Sequence, residues 1–422
     1  MSRRRWRIAW LLGFGVLVNY FDRVNLSVSH DVLLQQFGIS EFVFGLLAGA
    51  YNWTYAACQI PIGVVIDRLG VRLIGRVSTL IWSAASFGAA VSPTLGGLFA
   101  SRFVLGVGEA PTFPANAKAI GRWFPENERS VATSLFDSAA KLGNAIGIPA
   151  IGNLLLMVGW RLSFAATGVL SLLYFVLFYF VYREPHEDPK VSREEMALIS
   201  SRGSHRESGE ARPFTLSQLF SQRKVLGFAI GFGSYNYVFY LLVTWLPTYF
   251  SQALHMNLRR SFLYTGVPWL IATATDLLIG GMLVDLLVRR GWNSSRVRMT
   301  VLVVGTTCGL GIVGAGWSHT PFRAVAWITV SIAGLSAASA VGWSIPSLIA
   351  PPGSVGRVGG ILNFSNQLSG IAAPIITGFL VYKLHSFTWA FVVAGSYLVI
   401  GICAYIFMLR DIRPMVMETT GT

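Results

Sequence analysis

Seven ionisable side chains interrupt stretches that are otherwise apolar: Asp22 and Arg23, Arg102 and Glu109, Asp137 and Lys141, and Asp276. Such groups are costly against hydrocarbon, so they turn toward one another or toward a wet interior, and they mark places where ions, protons or charged ligands are handled. A carboxylate in a partly dry cavity keeps a proton more readily than it does in water, and a paired guanidinium reverses that preference. Asp22 and Glu109 therefore read as proton-exchanging groups; the alternative is a static ion pair of either one with Arg102 that joins helices. Arg23 and Arg102 read as anion clamps, because a guanidinium is permanently charged and its planar fork matches a carboxylate. Arg102 and Glu109 lie two turns apart on one helix face, about 10 Å in rise, so they can border one cavity without touching. We assign Arg23 to a substrate carboxylate and Arg102 to gating of Glu109, with the exchanged roles as the alternative. Asp137 and Lys141 are spaced i, i+4 and can pair on one helix; otherwise Lys141 is a second anion contact. Asp276 is either a further coupling acid or the partner of a basic group in another span. Tyr20, Tyr55, Tyr235, Asn236, Tyr240, Asn363 and Asn366 are the polar and aromatic residues expected to line the cavity, against the alternative that each serves helix–helix hydrogen bonding.

The elements that must position these groups follow from the composition. The chain has 422 residues, 53% hydrophobic and 12% charged, with a mean hydropathy of +0.57. A soluble domain carries about 25% charged residues. So much apolar sequence cannot be hidden in one soluble core, but stretches of about 20 residues can each cross a bilayer as a helix. The pattern predicts spans near 7–28, 41–66, 73–92, 96–118, 130–153 and 159–182, then near 222–250, 260–286, 298–318, 321–350, 358–383 and 386–409. The fold class is thus all-α, with twelve transmembrane helices in two six-helix pseudo-symmetric bundles around a central cavity. The domains are 1–182, a cytoplasmic linker at 183–221, and 222–422. Within the linker, Ser192-Arg193-Glu194-Glu195 has the form of a capping box opening a short helix.

The net charge of +14 does not point to nucleic acid, because the basic residues gather in alternate gaps between apolar spans rather than in a groove with interleaved aromatics. One side holds Arg4, Arg5 and Arg7, Arg68, Arg72 and Arg76, Lys118 and Arg122, Arg289 and Arg290; the other holds only Arg161, Arg259, Arg260, Arg323 and Lys383. Positive-inside asymmetry of this size places both termini and the linker in the cytoplasm of a multi-pass inner-membrane protein. The Arg-rich start leads into a retained first helix, since no small-residue cleavage site follows. Cys58, Cys308 and Cys403 lie in apolar spans without metal spacing, and no span has a central His, so neither a disulfide framework, a metal site nor a cofactor is expected. Gly106-x-Gly108 lacks the strand–turn–helix context of a nucleotide loop and reads as close helix packing.

An internal repeat supports the two-bundle plan. Gly63-x-x-x-Asp67-Arg68-x-Gly70-x-Arg72 follows the second span, and Gly281-x-x-x-Asp285-x-x-x-Arg289-Arg290-Gly291 follows the eighth, about half a chain length later. Asp67, Arg68 and Asp285 are thereby candidates for a cytoplasmic gate that locks the halves on one face.

With these motifs in hand, the chain resembles the major facilitator superfamily over essentially its whole length. The N-terminal half resembles the anion:cation symporter branch, which includes bacterial hexuronate, galactonate, glucarate and phthalate carriers and animal sialin-type carriers. The residues carrying the likeness are Asn19-Tyr20-Phe21-Asp22-Arg23-Val24-Asn25-Leu26-Ser27, Arg102-Phe103-x-x-Gly106-x-Gly108-Glu109-Ala110-Pro111-x-Phe113-Pro114, Trp123-Phe124-Pro125-Glu126-x-Glu128-Arg129 and Gly159-Trp160-Arg161. The resemblance implies acidic coupling residues at Asp22 and Glu109 and substrate-facing tyrosines at Tyr20 and Tyr55. Two positions depart from it. Relatives tend to place a neutral amide where this chain has Lys141 in Ser138-Ala139-Ala140-Lys141, and a small residue where it has Asp276. These departures point toward a more anionic or less hydroxylated ligand than a sugar acid. The expected function is proton-coupled uptake of a small organic anion (a sugar acid, hydroxy acid or aromatic carboxylate) by a monomer using alternating access. The partners are the anion, protons and the lipid bilayer. Proton-coupled export of metabolites or drugs, and a non-transporting ligand sensor, are the alternatives.

Overall fold

The computed structural model describes residues 4–201, 215–351 and 354–415. Every regular element among the described residues is helical. In the first group, α1 (Arg4–Val28) passes through α2 (His30–Phe37) into α3 (Glu41–Val91). The sequence pattern divides that last element into two spans, and so does the backbone. Gly70 has φ 78°, a left-handed value that a side chain resists, and it breaks the helix between them. The span expected at 96–118 is α4 (Leu95–Glu109) followed by α5 (Thr112–Trp123). The break falls at Pro111, which lacks an N–H and clashes with the preceding turn. Then come α6 (Glu126–Val158) and α7 (Trp160–Val181).

The connecting region contains α8 (Arg193–Ser201) and α9 (Leu216–Phe220); residues 202–214 lie outside the described residues. Ser192 Oγ accepts from the Glu195 N–H at 3.1 Å, as a capping box requires. The Glu195 carboxylate turns instead to the chain's start, accepting from the backbone N–H groups of Arg4 and Arg5 at 3.3 and 3.1 Å. Arg4 Nε also donates to Asp188 at 2.7 Å. The linker is therefore stapled beneath the first group by buried ion pairs.

In the second group, α10 (Arg223–Thr248) runs on into a π turn, Tyr249–Ala253. α11 (Leu258–Thr275), a π-helical segment Asp276–Leu283 and α12 (Val284–Arg289) make one continuous span. α13 (Ser294–Gly309) and α14 (Gly311–Gly316) make the next, followed by α15 (Pro321–Ile349), α16 (Val355–Leu384) and α17 (Thr388–Cys403). Among the described residues, nine helices are long and apolar enough to cross a membrane, or ten when the bent pair His30–Phe37 and Glu41–Gln59 is taken as one span. The other two expected spans are α1, made less apolar by Asn19, Asp22, Arg23 and Asn25, and the broken α4–α5. Both exceptions carry the charges singled out above. Large hydrophobic residues such as Phe180, Met157 and Phe322 stay exposed on the outer surface, as lipid-facing residues do.

The two groups meet along α1 with α10, α3 with α16, and α6 with α11. Several polar contacts join them. Ser27 Oγ donates to the Thr244 carbonyl at 2.6 Å, Asn52 Nδ2 to the Gly370 carbonyl at 2.9 Å, and Gln252 Nε2 to Asp31 at 3.1 Å. Trp245 stands edge-on to His30 and Phe44 from the other group.

Candidate functional site

Between the groups lies a cavity with about 510 Å³ of empty space, part of it open to solvent. Nine residues expected from the sequence border it: Tyr20, Arg23, Tyr55, Lys141, Tyr235, Asn236, Tyr240, Asn363 and Asn366. They come from α1, α3, α6, α10 and α16, so both groups contribute to the wall. A second, smaller cavity of about 360 Å³ lies against Arg23, Tyr51, Asn52, Arg102 and Tyr240. Arg23 and Tyr240 border both spaces and so stand between them.

Arg23 is the organising cation. Its guanidinium lies over the rings of Tyr20, Tyr51 and Tyr55 at 4.6, 4.8 and 5.7 Å. Each aromatic face attracts the cation, more strongly where water is excluded. Its Nε donates to Glu109 Oε2 at 2.9 Å, with both side chains buried. Among the described residues Arg23 Nη2 and Glu109 Oε1 have no hydrogen-bond partner, so the pair uses one arm of each fork. The sequence assigns Arg102 to gating of Glu109 without a direct bond, and a static ion pair with Arg102 is its alternative; the direct bond to Glu109 comes from Arg23, because α1 brings Arg23 against the end of α4. Arg102 stands over Tyr51 at 5.3 Å, borders the smaller cavity, and leaves buried Nε and Nη1 without partners.

Asp22, one residue earlier on α1, faces the interior of the first group. Its two oxygens accept from Ser86 and Ser171 hydroxyls at 2.6 and 2.7 Å, and it borders neither cavity. Glu109 is likewise outside both linings but touches Arg23, which is in both. Helix periodicity explains the split: adjacent residues point about 100° apart, so Asp22 and Arg23 cannot share a direction.

Asn236 Nδ2 donates to Asn366 Oδ1 at 2.7 Å, and Asn363 Nδ2 donates to Gln59 Oε1 at 3.1 Å, the latter joining the two groups. Gln59, Gln367, Tyr51 and Trp343, which the sequence reading did not select, belong to this neighbourhood. Glutamine and tryptophan at these places show no anomaly in the sequence, since a polar residue inside a span also serves helix packing.

Lys141 Nζ lies 2.6 Å from Asp137 Oδ2 on its own helix and 2.6 Å from Asp276 Oδ2 on the opposite group. Of the two readings offered for Asp276, the structure places it as partner of a basic group in another span. Arg68 is exposed, the side chain of Asp67 lies outside the described residues, and Asp285 interacts with Arg298 of its own group.

Comparison with known proteins agrees with this architecture. A family model described as Major Facilitator Superfamily matches residues 12–374. The chain is 37% identical over 97% of its length to an uncharacterized transporter of Bacillus subtilis, covering 95% of that protein. It is 30% identical to the D-galactonate transporter of Escherichia coli, covering 98% of this chain and 97% of that one. It is also 30% identical to a probable galactarate/D-glucarate transporter of Escherichia coli, covering 98% and 96% respectively. Among solved structures, a bacterial homologue of the lysosomal transporter Spinster, inward-facing and unoccupied, superposes with a TM-score of 0.75 at 17% identity over 97% of this chain and 98% of that one. A D-xylose-proton symporter superposes with a TM-score of 0.73 at 17% identity over 99% of both chains. This chain, a multi-pass membrane protein, belongs to the major facilitator superfamily of membrane transporters.

Proposed function

We propose that this transporter couples uptake of a small organic acid to protons, with Arg23 holding the substrate carboxylate and Glu109 holding a proton. The observation that carries the reading is the buried Arg23–Glu109 pair at the boundary of a two-sided cavity. A substrate carboxylate that takes Arg23 removes the counter-charge of Glu109. A buried carboxylate without a counter-charge is severely disfavoured, so Glu109 gains a proton as the anion enters. On release of the anion, Glu109 returns to Arg23 and the proton leaves. Anion and proton thus travel together because Arg23 can hold one carboxylate at a time. Asp22 is the second proton-exchanging group, within electrostatic reach of Arg102. Its serine partners can reverse their hydroxyl direction when it is protonated, since a hydroxyl both donates and accepts.

The relatives named for galactonate and for galactarate/glucarate transport support an organic-acid substrate, and the amides and tyrosines of the cavity wall supply hydrogen bonds for its hydroxyl groups. The basic residues of alternate loops support cytoplasmic termini and an inner-membrane location. With that orientation the end closed by Ser27–Thr244 and Asn52–Gly370 is the outer one. A cavity lined by both halves of one chain supports transport by a monomer.

The test is uptake by purified protein in vesicles across a library of organic acids, with the interior alkaline. The reading expects concentrative uptake of at least one acid, abolished when the pH gradient is collapsed. Uptake that ignores the gradient for every transported acid would overturn it.

A further inference from the structure

Lys141 stands where a neutral residue would suffice to line a cavity, and it is fully buried between two carboxylates. One ammonium cannot neutralise two carboxylates, so the triad carries an unbalanced negative charge when all three groups are ionised. That is a costly arrangement for a purely structural joint, since an unpaired buried charge destabilises by several kcal/mol. Two further features separate Asp276 from an ordinary helix-joining residue. It opens the π-helical segment Asp276–Leu283, a distortion common at functional sites. Neither of its oxygens meets a donor in directed hydrogen-bonding geometry, although Oδ2 lies 2.6 Å from Nζ. Asp137, by contrast, accepts a hydrogen bond from Lys141 on its own helix. Asp276 is the deeper of the two partners, its side chain 1% exposed against 11% for Asp137.

Lys141 and Arg23 border the same cavity from α6 and α1. We propose that Lys141 is a second anion post, which takes the second acid group of a dianionic substrate in exchange for Asp276, and that Asp276 then carries a proton. This rests on the proton-coupled reading above and adds the substrate's charge class. The exchange balances. One dianion enters, Glu109 and Asp276 each gain a proton, and the net charge of the cavity is unchanged. The groups facing Asp276 are Lys141 and Asp137 from α6 and Tyr235 from α10. α15, packed against the π segment, presents Ala337 and Ala340 beside Gly280. Because Lys141 belongs to the first group and Asp276 to the second, the exchange also removes one ionic tie between them.

The experiment is counterflow in vesicles at equal pH, comparing carbon-matched acids: D-gluconate against D-glucarate, and butyrate against succinate. Wild type is expected to favour the diacid of at least one pair by ~10-fold or more, the equivalent of one favourable ionic contact. Lys141→Gln, and the charge-restored double variant Lys141→Gln/Asp276→Asn, should lose that preference, read as the ratio of diacid to monoacid exchange. Asp276→Asn should keep the preference and, in net uptake into substrate-free vesicles, bring in one proton fewer per substrate, read by a trapped pH dye. A wild type that favours monoacids, or a double variant that folds and keeps the diacid preference, overturns the proposal. The accumulation assay on Glu109→Gln separates the two claims. If that variant loses accumulation while Lys141 proves irrelevant, proton coupling stands and the second post falls. If wild type exchanges none of these acids, the second post falls, and the proton-coupled reading is decided by the organic-acid library.

Discussion

Replacing Glu109 by Gln separates binding from coupling. The amide keeps the size and one acceptor oxygen, so Arg23 Nε can still donate as it does at 2.9 Å in the wild type. What goes is the counter-charge and the ability to carry a proton. Breaking a buried pair costs about 3–5 kcal/mol because the remaining ion is uncompensated, so the empty variant should melt measurably lower than wild type. An anionic substrate resupplies the missing charge, and binding no longer has to displace Glu109. Thermal stabilisation by substrate should therefore exceed that of wild type at alkaline pH, corresponding to an affinity gain of about tenfold for each 1.4 kcal/mol of displaced pairing. Wild-type affinity should rise as pH falls, because protons help Glu109 let go; that of Glu109→Gln should depend less on pH. In transport, one coupled proton and a gradient of one pH unit sustain about tenfold accumulation. Glu109→Gln should stop at equal concentrations while counterflow continues. A variant that accumulates substrate as wild type does, or whose affinity follows pH as before, would refute the role given to Glu109.

Further consequences are specific. Asp22→Asn keeps the bonding shape toward Ser86 and Ser171 and should likewise abolish gradient-driven accumulation while sparing counterflow. Arg23→Lys retains a charge but loses the fork and the fit over three tyrosine rings, so substrate binding by isothermal calorimetry should weaken by about 2–3 kcal/mol. Removing the outer ties with Asn52→Ala and Ser27→Ala costs about 1 kcal/mol each. The population should shift toward the outward-open state by roughly fivefold per tie, read as faster external alkylation of a cysteine placed at Thr244. Gly266→Val should block motion between the groups, because even a Cβ there lies 2.7 Å from the Ala145 carbonyl oxygen on α6; exchange should fall severely with little loss of affinity.

The helical plan was readable from periodicity and apolar run length because a bilayer leaves a chain few alternatives. Of the two spans that fall short, α1 is made less apolar by Asn19, Asp22, Arg23 and Asn25, while α4–α5 is divided at Pro111 into helices of 15 and 12 residues. Charged residues within spans were legible as a set for the same energetic reason. Their pairing was not. Which arginine meets Glu109 depends on the rotation and height of α1 against α4, and no spacing along the chain encodes that. The Lys141–Asp276 contact joins residues far apart in sequence, so the i, i+4 partner Asp137 was the one that local geometry could offer. Gln59 and Gln367 were invisible for a different reason: uncharged polar residues within spans occur wherever helices pack.

The most direct measurement of the central claim is substrate-driven proton movement. Purified protein in vesicles containing a trapped pH dye, with no imposed gradient, is given a transported organic acid outside. Inward flow of the acid should acidify the interior in step with uptake, and the acidification per substrate should fall in Glu109→Gln although counterflow persists. Net uptake of the acid by wild type with no change in internal pH would contradict the account.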